Sequence, residues 1–188
     1  MALFASLRCC YLIAMFGGLL RRDPFRAEAA RLYGVLAEQA RQPAFFAEIG
    51  VPDTVDGRFD LLSLHVGLAI ERLKQESDGV ALSQSLFDAM FRHLDLTLRE
   101  MGVQDLGVGK RIKIMAEGFH GRGLALREAL AGDDAALEAV LARNVLSVQQ
   151  PPAGSATRLR DYVRQLVAAF SATSRSQMLA ANLRFPPI

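Results

Sequence analysis

An all-α fold is what this sequence predicts, and three observations carry that expectation. Apolar residues recur at helical spacing along almost the whole chain. No stretch alternates with the two-residue period of a half-buried strand. Proline, glycine and aspartate fall where helices start and stop. The 188 residues suit one domain, able to bury about 70% of its unfolded surface without staples. The expected architecture is a compact bundle of about six helices, ending in a basic helix after a Pro/Gly linker.

Residues 1–22 form an apolar lead-in, broken by Arg8 and closed by Arg21-Arg22. Its apolar run over residues 3–20 is marginal for a membrane span, which needs roughly 20 apolar residues. The preferred reading starts translation at Met15 and places residues 1–14 upstream of it. The first helix is expected from Asp23-Pro24, a cap followed by proline at the first helical position, and ends before Pro43. Leu32, Tyr33, Leu36 and Ala40 form its inner face. Residues 43–49 make a short turn, and residues 51–57 a loop with Pro52-Asp53 and Asp56-Gly57 as turn chemistry.

A second helix is expected over residues 58–75, with Phe59, Leu62, Val66, Ala69, Ile70 and Leu73 inward. A third covers residues 82–101 and stops at Gly102. A connection through Gly107 and Gly109 leads to a fourth helix carrying Ile112, Met115, Ala116 and Phe119, with a bend expected near Gly121 or Gly123. The fifth spans 133–146 behind an Asp133 cap. These elements make residues 23–146 the helical domain, 147–156 the linker and 157–188 the C-terminal helix and tail. From Arg143 onward six arginines face one acid, Asp161. This basic segment suits docking on the core, on anionic lipid or on RNA, and the core is the default.

Several function classes drop out. A net charge of +2, with aromatics not interleaved among basic runs, excludes a DNA-binding reading. The only cysteines, Cys9 and Cys10, are adjacent and support neither a disulfide framework nor a metal site. Residues 107–111, Gly-Val-Gly-Lys-Arg, imitate a phosphate loop. Gln104 stands where its first glycine is needed and Arg111 where Ser or Thr is needed, so a helix–helix turn is expected instead. His65, His93 and His120 lie far apart. His65 is expected as a satisfied core histidine and His93 at a helix surface. No catalytic residue, cofactor site or metal site is assigned. A hydrophobic fraction of 51% leaves two options, a generous core or apolar surface for a partner or membrane.

One stretch resists a purely local account. In Leu98-Arg99-Glu100-Met101-Gly102-Val103-Gln104-Asp105, charges crowd a helix–helix connection. Lys110, Arg111 and Lys113 then follow at the start of the next helix, where cations oppose the macrodipole. On propensity alone, Glu100 or Asp105 pairing with Lys110 or Arg111 across the turn is the favoured explanation.

These residues, with others between about residues 32 and 146, resemble the ubiquinol–cytochrome c chaperone family. The landmarks are Arg41-Gln-Pro43-Ala-Phe45-Phe46, Val51-Pro-Asp53, Gly57-Arg58-Phe59-Asp60, Leu64-His65, Arg72-Leu73, the 88–95 stretch with Met90, residues 98–105, Val108-Gly-Lys110 and Gly118-Phe119-His120-Gly121-Arg122. Gln104 departs from the family's usual glycine and His120 from its usual tyrosine. The resemblance implies a non-catalytic chaperone for newly made cytochrome b during assembly of the cytochrome bc complex. It also implies a small partner chaperone and a place near the ribosomal exit tunnel. Without organelle features, the expected setting is a bacterial cytoplasm, peripheral to the inner membrane. Arg58, Arg99, Glu100, Asp105, Lys110 and Arg122 are the candidate partner-binding surface. Two rival readings are a haem- or small-ligand-binding helical protein using His65 or His120, and a membrane-anchored structural subunit held by residues 3–20.

Overall fold

The computed structural model describes residues 23–147 and 151–188, so the expectations for residues 1–22, Cys9 and Cys10 included, lie outside the described residues. The described elements are helical throughout, which agrees with the all-α expectation. In chain order they are α1 (Arg26–Gln39), α2 (Pro43–Ala47), α3 (Val55–Leu73), α4 (Gly79–Glu100), α5 (Asp105–Ala131), α6 (Asp134–Leu141), α7 (Ser155–Ala172) and α8 (Arg175–Leu179).

Helix α3 is the axis of the bundle. Fourteen of its 19 residues are buried, as expected for a helix apolar on all sides. Around it pack α1, α4, α5, α7 and the turn that follows α6. It starts three residues earlier than its periodicity suggests. Thr54, in extended conformation, accepts a hydrogen bond from Gly57 N at 3.1 Å and so caps the helix inside the stretch that reads as a loop.

Helices α4 and α5 form a long antiparallel hairpin. Its turn is shorter than the sequence implies, because Gly107 to Arg111 already belong to α5 rather than to the connection. Gly102 ends α4 at φ +80°, a left-handed conformation that costs glycine little. Helix α5 then runs 27 residues without a break at Gly121 or Gly123.

Helix α6 is capped by Asp133, which accepts from Ala136 N at 2.8 Å. It widens into a π-helical turn over Ala142–Leu146. Helix α7 docks on the core through Leu159, Tyr162, Val163, Leu166 and Phe170. Its arginines are occupied within the fold. Arg160 pairs with Glu138 at 2.5 Å, and Arg164 with Asp134 at 3.1 Å. At the other end, Arg72 donates to the carbonyls of Phe170 at 3.0 Å and Thr173 at 2.8 Å, placing a cation at the negative end of α7. The expected single C-terminal helix breaks at Thr173, and a Ser174–Gln177 capping box restarts the chain as α8.

Candidate functional site

Arg122 organises the most distinctive polar site. It projects from α5 and folds back over its own helix, where a side chain at Gly118 would meet its Nη1 atom at 2.7 Å. The guanidinium lies 5.7 Å from the centre of the Phe59 ring and 2.7 Å from Asp60 Oδ1. Asp60 is 5% exposed on α3. The contact is a charge pair without hydrogen-bond geometry, since no protein group hydrogen-bonds Asp60 Oδ1. Burial pushes the Asp60 carboxyl up to about 6, against the lowering effect of Arg122 and with a smaller raising effect from Asp56.

Asp60 and Arg122 share a cleft of about 30 Å³ with Ser63, Asn144 and Val145. Ser63 Oγ is buried there without a protein hydrogen-bond partner. The π-helical turn after α6 delivers Asn144 and Val145 to this cleft, a placement a regular helix would not give. Two motifs sixty residues apart, Gly57 to Asp60 and Gly118 to Arg122, therefore meet in one site. Sequence reasoning singled out Arg122 and missed Asp60, Ser63 and Asn144. The signal available was an acid at an inward position of α3.

The other candidates fall into separate places. Arg58 donates to Asp53 Oδ1 at 2.5 Å and lies over the Phe46 ring at 5.2 Å, which closes the loop before α3. That hydrogen bond holds the Asp53 carboxyl below its ordinary range. Arg99 donates to Asp95 at 2.7 Å and to Asp105, bridging the end of α4 to the start of α5. Asp105 thus pairs with Arg99, not with Lys110 or Arg111. Glu100 and Lys110 are exposed.

The histidines behave as structure. His65 is fully buried, donates from Nδ1 to the Leu61 carbonyl at 2.8 Å, and accepts at Nε2 from the Tyr162 hydroxyl at 2.8 Å. Gln39 donates in turn to Tyr162 at 3.1 Å, and Phe45 sets its ring edge-on to both aromatic partners. Burial pulls His65 down to about 4 and raises the Tyr162 hydroxyl. Both ring nitrogens of His65 are engaged, so it offers no lone pair to an iron. His93 sits at the surface and its Nδ1 meets the Tyr33 hydroxyl at 2.9 Å.

His120 stacks on Phe87 at 5.3 Å, beside a cleft of about 90 Å³ between α3, α4 and α5. That volume is far below the roughly 300–1,000 Å³ of small-molecule sites, so nothing here favours the haem or small-ligand reading. Among the described residues no group of His, Cys, Asp and Glu could hold a metal ion. Among the same residues no helix is long and apolar enough to cross a membrane.

The sequence profile of the family described as ubiquinol-cytochrome C chaperone matches residues 47–185, well over half of the chain. The chain belongs to this family. A crystal structure of the Cbp3 homolog from Brucella abortus superposes with a TM-score of 0.74 at 38% identity, covering 86% of this chain and 90% of that one. Ubiquinol-cytochrome-c reductase complex assembly factor 1 of Xenopus laevis is 27% identical over 155 residues, covering 81% of this chain and 78% of that protein. Its counterpart in Homo sapiens is 25% identical over 167 residues, and there the chain spans 56% of the relative's length.

For this member of the ubiquinol–cytochrome c chaperone family, the structure separates two kinds of landmark. Arg72, His65 and Phe45 hold helices together. Arg122 and Asp60 line the cleft, with Phe59 beneath the Arg122 guanidinium. Of the two departures, Gln104 precedes α5 at φ −65°, where no glycine is required, and His120 retains a ring stacked on Phe87.

Proposed function

We propose that this protein is a non-catalytic assembly chaperone that holds newly made cytochrome b and promotes assembly of the ubiquinol–cytochrome c reductase complex. The family match over residues 47–185 carries the reading, together with the assembly-factor names of its relatives. The geometry adds a mode of action. The buried Asp60 and the half-buried Arg122 at a cleft edge, with Arg58 on the same helix as Asp60, supply polar recognition near apolar walls. Arg99, Glu100, Asp105 and Lys110 form a separate polar cluster at the α4–α5 turn. The setting is a bacterial cytoplasm, on the inner-membrane surface, with a small partner chaperone and the ribosomal exit tunnel as further contacts.

Deletion of the gene, followed by difference spectra of membrane cytochromes, tests the reading. Selective loss of b-type and bc-complex signal is expected, and an unchanged spectrum refutes it. Complementation with Arg122→Ala locates the site. Loss of cytochrome b with a melting temperature near that of the parent assigns Arg122 to recognition. Loss accompanied by a large drop in melting temperature assigns it to structure.

A further inference from the structure

The α4–α5 hairpin changes character along its length. Nine of the ten buried residues of α4 lie at or before Phe91, and only Leu98 follows. On α5, Val108 is buried, and continuous burial resumes at Ala116 and Phe119. Leu98 and Val108 stand outside the continuous hydrophobic core, and within residues 92–115 only the partly buried Leu94, Ile112 and Met115 pack against it, near the base, so this stretch forms an arm attached to the body. Six large apolar side chains are strongly exposed among the described residues. Three of them, Leu96, Met101 and Ile114, sit on this arm at 58%, 55% and 57% exposure.

The charges around them are not balanced in the same way as elsewhere. Arg99 occupies both Asp95 and Asp105. That leaves Glu100 as the arm's one remaining acid, against Arg92, Lys110, Arg111 and Lys113. The last three are exposed, lie within the four residues just before Ile114, and form no ion pair among the described residues. Two of the chain's three lysines are here, in a protein that otherwise uses arginine. On the body, the half-buried Arg160, Arg164 and Arg175 pair with acids, while the exposed Arg26, Arg41, Arg143 and Arg184 lie scattered without an ion pair among the described residues. The arm is set apart by three such cations within four residues of one another beside an exposed isoleucine.

We infer that the tip of the α4–α5 hairpin is a docking element for an anionic lipid surface, with Leu96, Met101 and Ile114 entering the headgroup region and Lys110, Arg111 and Lys113 meeting lipid phosphates. Lysine stems lie along apolar surface while the ammonium reaches polar headgroups, the arrangement used by interfacial helices. A shaped protein partner is anchored through well-packed pockets, whereas a fluid interface needs only protruding apolar groups and unpaired cations. The two clefts described above lie on the body, and neither is lined by residues 92–115. The inference deepens the proposed function by giving the membrane-facing side of the chaperone, and it rests on that reading only for its biological purpose.

The chain contains no tryptophan, so a single introduced one reports its own surroundings. Full-length Ile114→Trp and Met101→Trp are to be mixed with vesicles of phosphatidylcholine alone or with about one third phosphatidylglycerol. Val80→Trp, exposed at the far end of α4, is the control. A blue shift at positions 101 and 114 with anionic vesicles, absent at position 80 and suppressed by salt, is the expected result. In co-sedimentation, Lys110→Glu/Lys113→Glu should weaken binding by tenfold or more, since each basic residue near an anionic surface contributes roughly a fivefold factor.

Equal shifts at all three positions, or binding that survives the double substitution, overturn the inference and assign lipid contact elsewhere in the chain. A shift produced only by a protein fraction, and not by vesicles, assigns the arm to a protein partner and also overturns it. A normal cytochrome spectrum in the deletion strain would instead defeat the proposed function while leaving the vesicle result standing.

Discussion

The body of the bundle and the arm of its longest hairpin are built from the same helices, yet they are held in different ways. In the body, α3 is wrapped by five partners, and polar groups that enter the core are tied down, as in the Gln39–Tyr162–His65 chain. In the arm, two helices lean on each other through few buried residues, and a surface arginine closes the turn. The difference shows where stability resides and where surface chemistry is free to vary. Residues 92–115 hold few fully buried side chains, Leu98 and Val108 among them, with Leu94, Ile112 and Met115 partly buried against the core at the base.

The largest test of this contrast is a pair of truncations. Phe45→Ala removes a fully buried ring that touches both His65 and Tyr162, and should cost about 3–5 kcal/mol in denaturant unfolding. Ile114→Ala should change stability by less than about 0.5 kcal/mol. Comparable losses at the two positions would erase the distinction between body and arm.

Acid titration probes the body further, with two opposing slopes. The folded-state carboxyl of Asp60 is raised to about 6 from 3.8, so the native protein holds that proton more tightly. Its contribution is most favourable below about pH 4 and falls as pH rises to 6, by up to about 3 kcal/mol. His65 is lowered to about 4 from 6.5, so its contribution is full above pH 6.5 and is lost as pH falls toward 4. Asp60→Asn should therefore leave a melting temperature that drops more steeply on acidification between pH 6 and 4 than the parent's. An unchanged profile would show that Asp60 titrates normally.

Tyr162→Phe deletes the hydroxyl between His65 and Gln39 and leaves His65 Nε2 buried without a donor. A loss of about 1–3 kcal/mol is expected from chemical denaturation. The smallest effect belongs to the arm. Arg99→Ala breaks exposed pairs with Asp95 and Asp105 and should leave global stability nearly unchanged, while amide exchange speeds up in residues 98–108 before it does in α3. Faster exchange throughout the bundle would show that the arm and the body unfold as one unit.

Much of the fold was legible because helix signals are local. Leu32, Tyr33, Leu36 and Ala40 mark the inner side of α1, and all four are buried. Gly102 and Asp133 end and begin helices as their chemistry suggests. Boundaries slipped where one local signal outweighed another, as Thr54 did by capping α3 ahead of Gly57. The widening of α6 into a π turn had no sequence signal. It is a response to packing, with Val145 and Leu146 both buried against the body.

The candidate site was only partly legible for the same physical reason. An amino-acid pattern states which side of a helix is apolar, and by that means the sequence alone determined the helical class, the family landmarks and the core role of His65. Which charged residues meet depends on the rotation and offset of helices that are far apart in the chain, and local propensity carries no term for either. Asp60 and Arg122 have the whole of α4 between them in the chain, and their encounter exists only once α3 and α5 pack side by side. The exposure of Leu96, Met101 and Ile114 was likewise a tertiary decision. Sequence spacing leaves Ile114 off the inner stripe of Ile112, Met115, Ala116 and Phe119, but only the packed layers decide that all three stay uncovered.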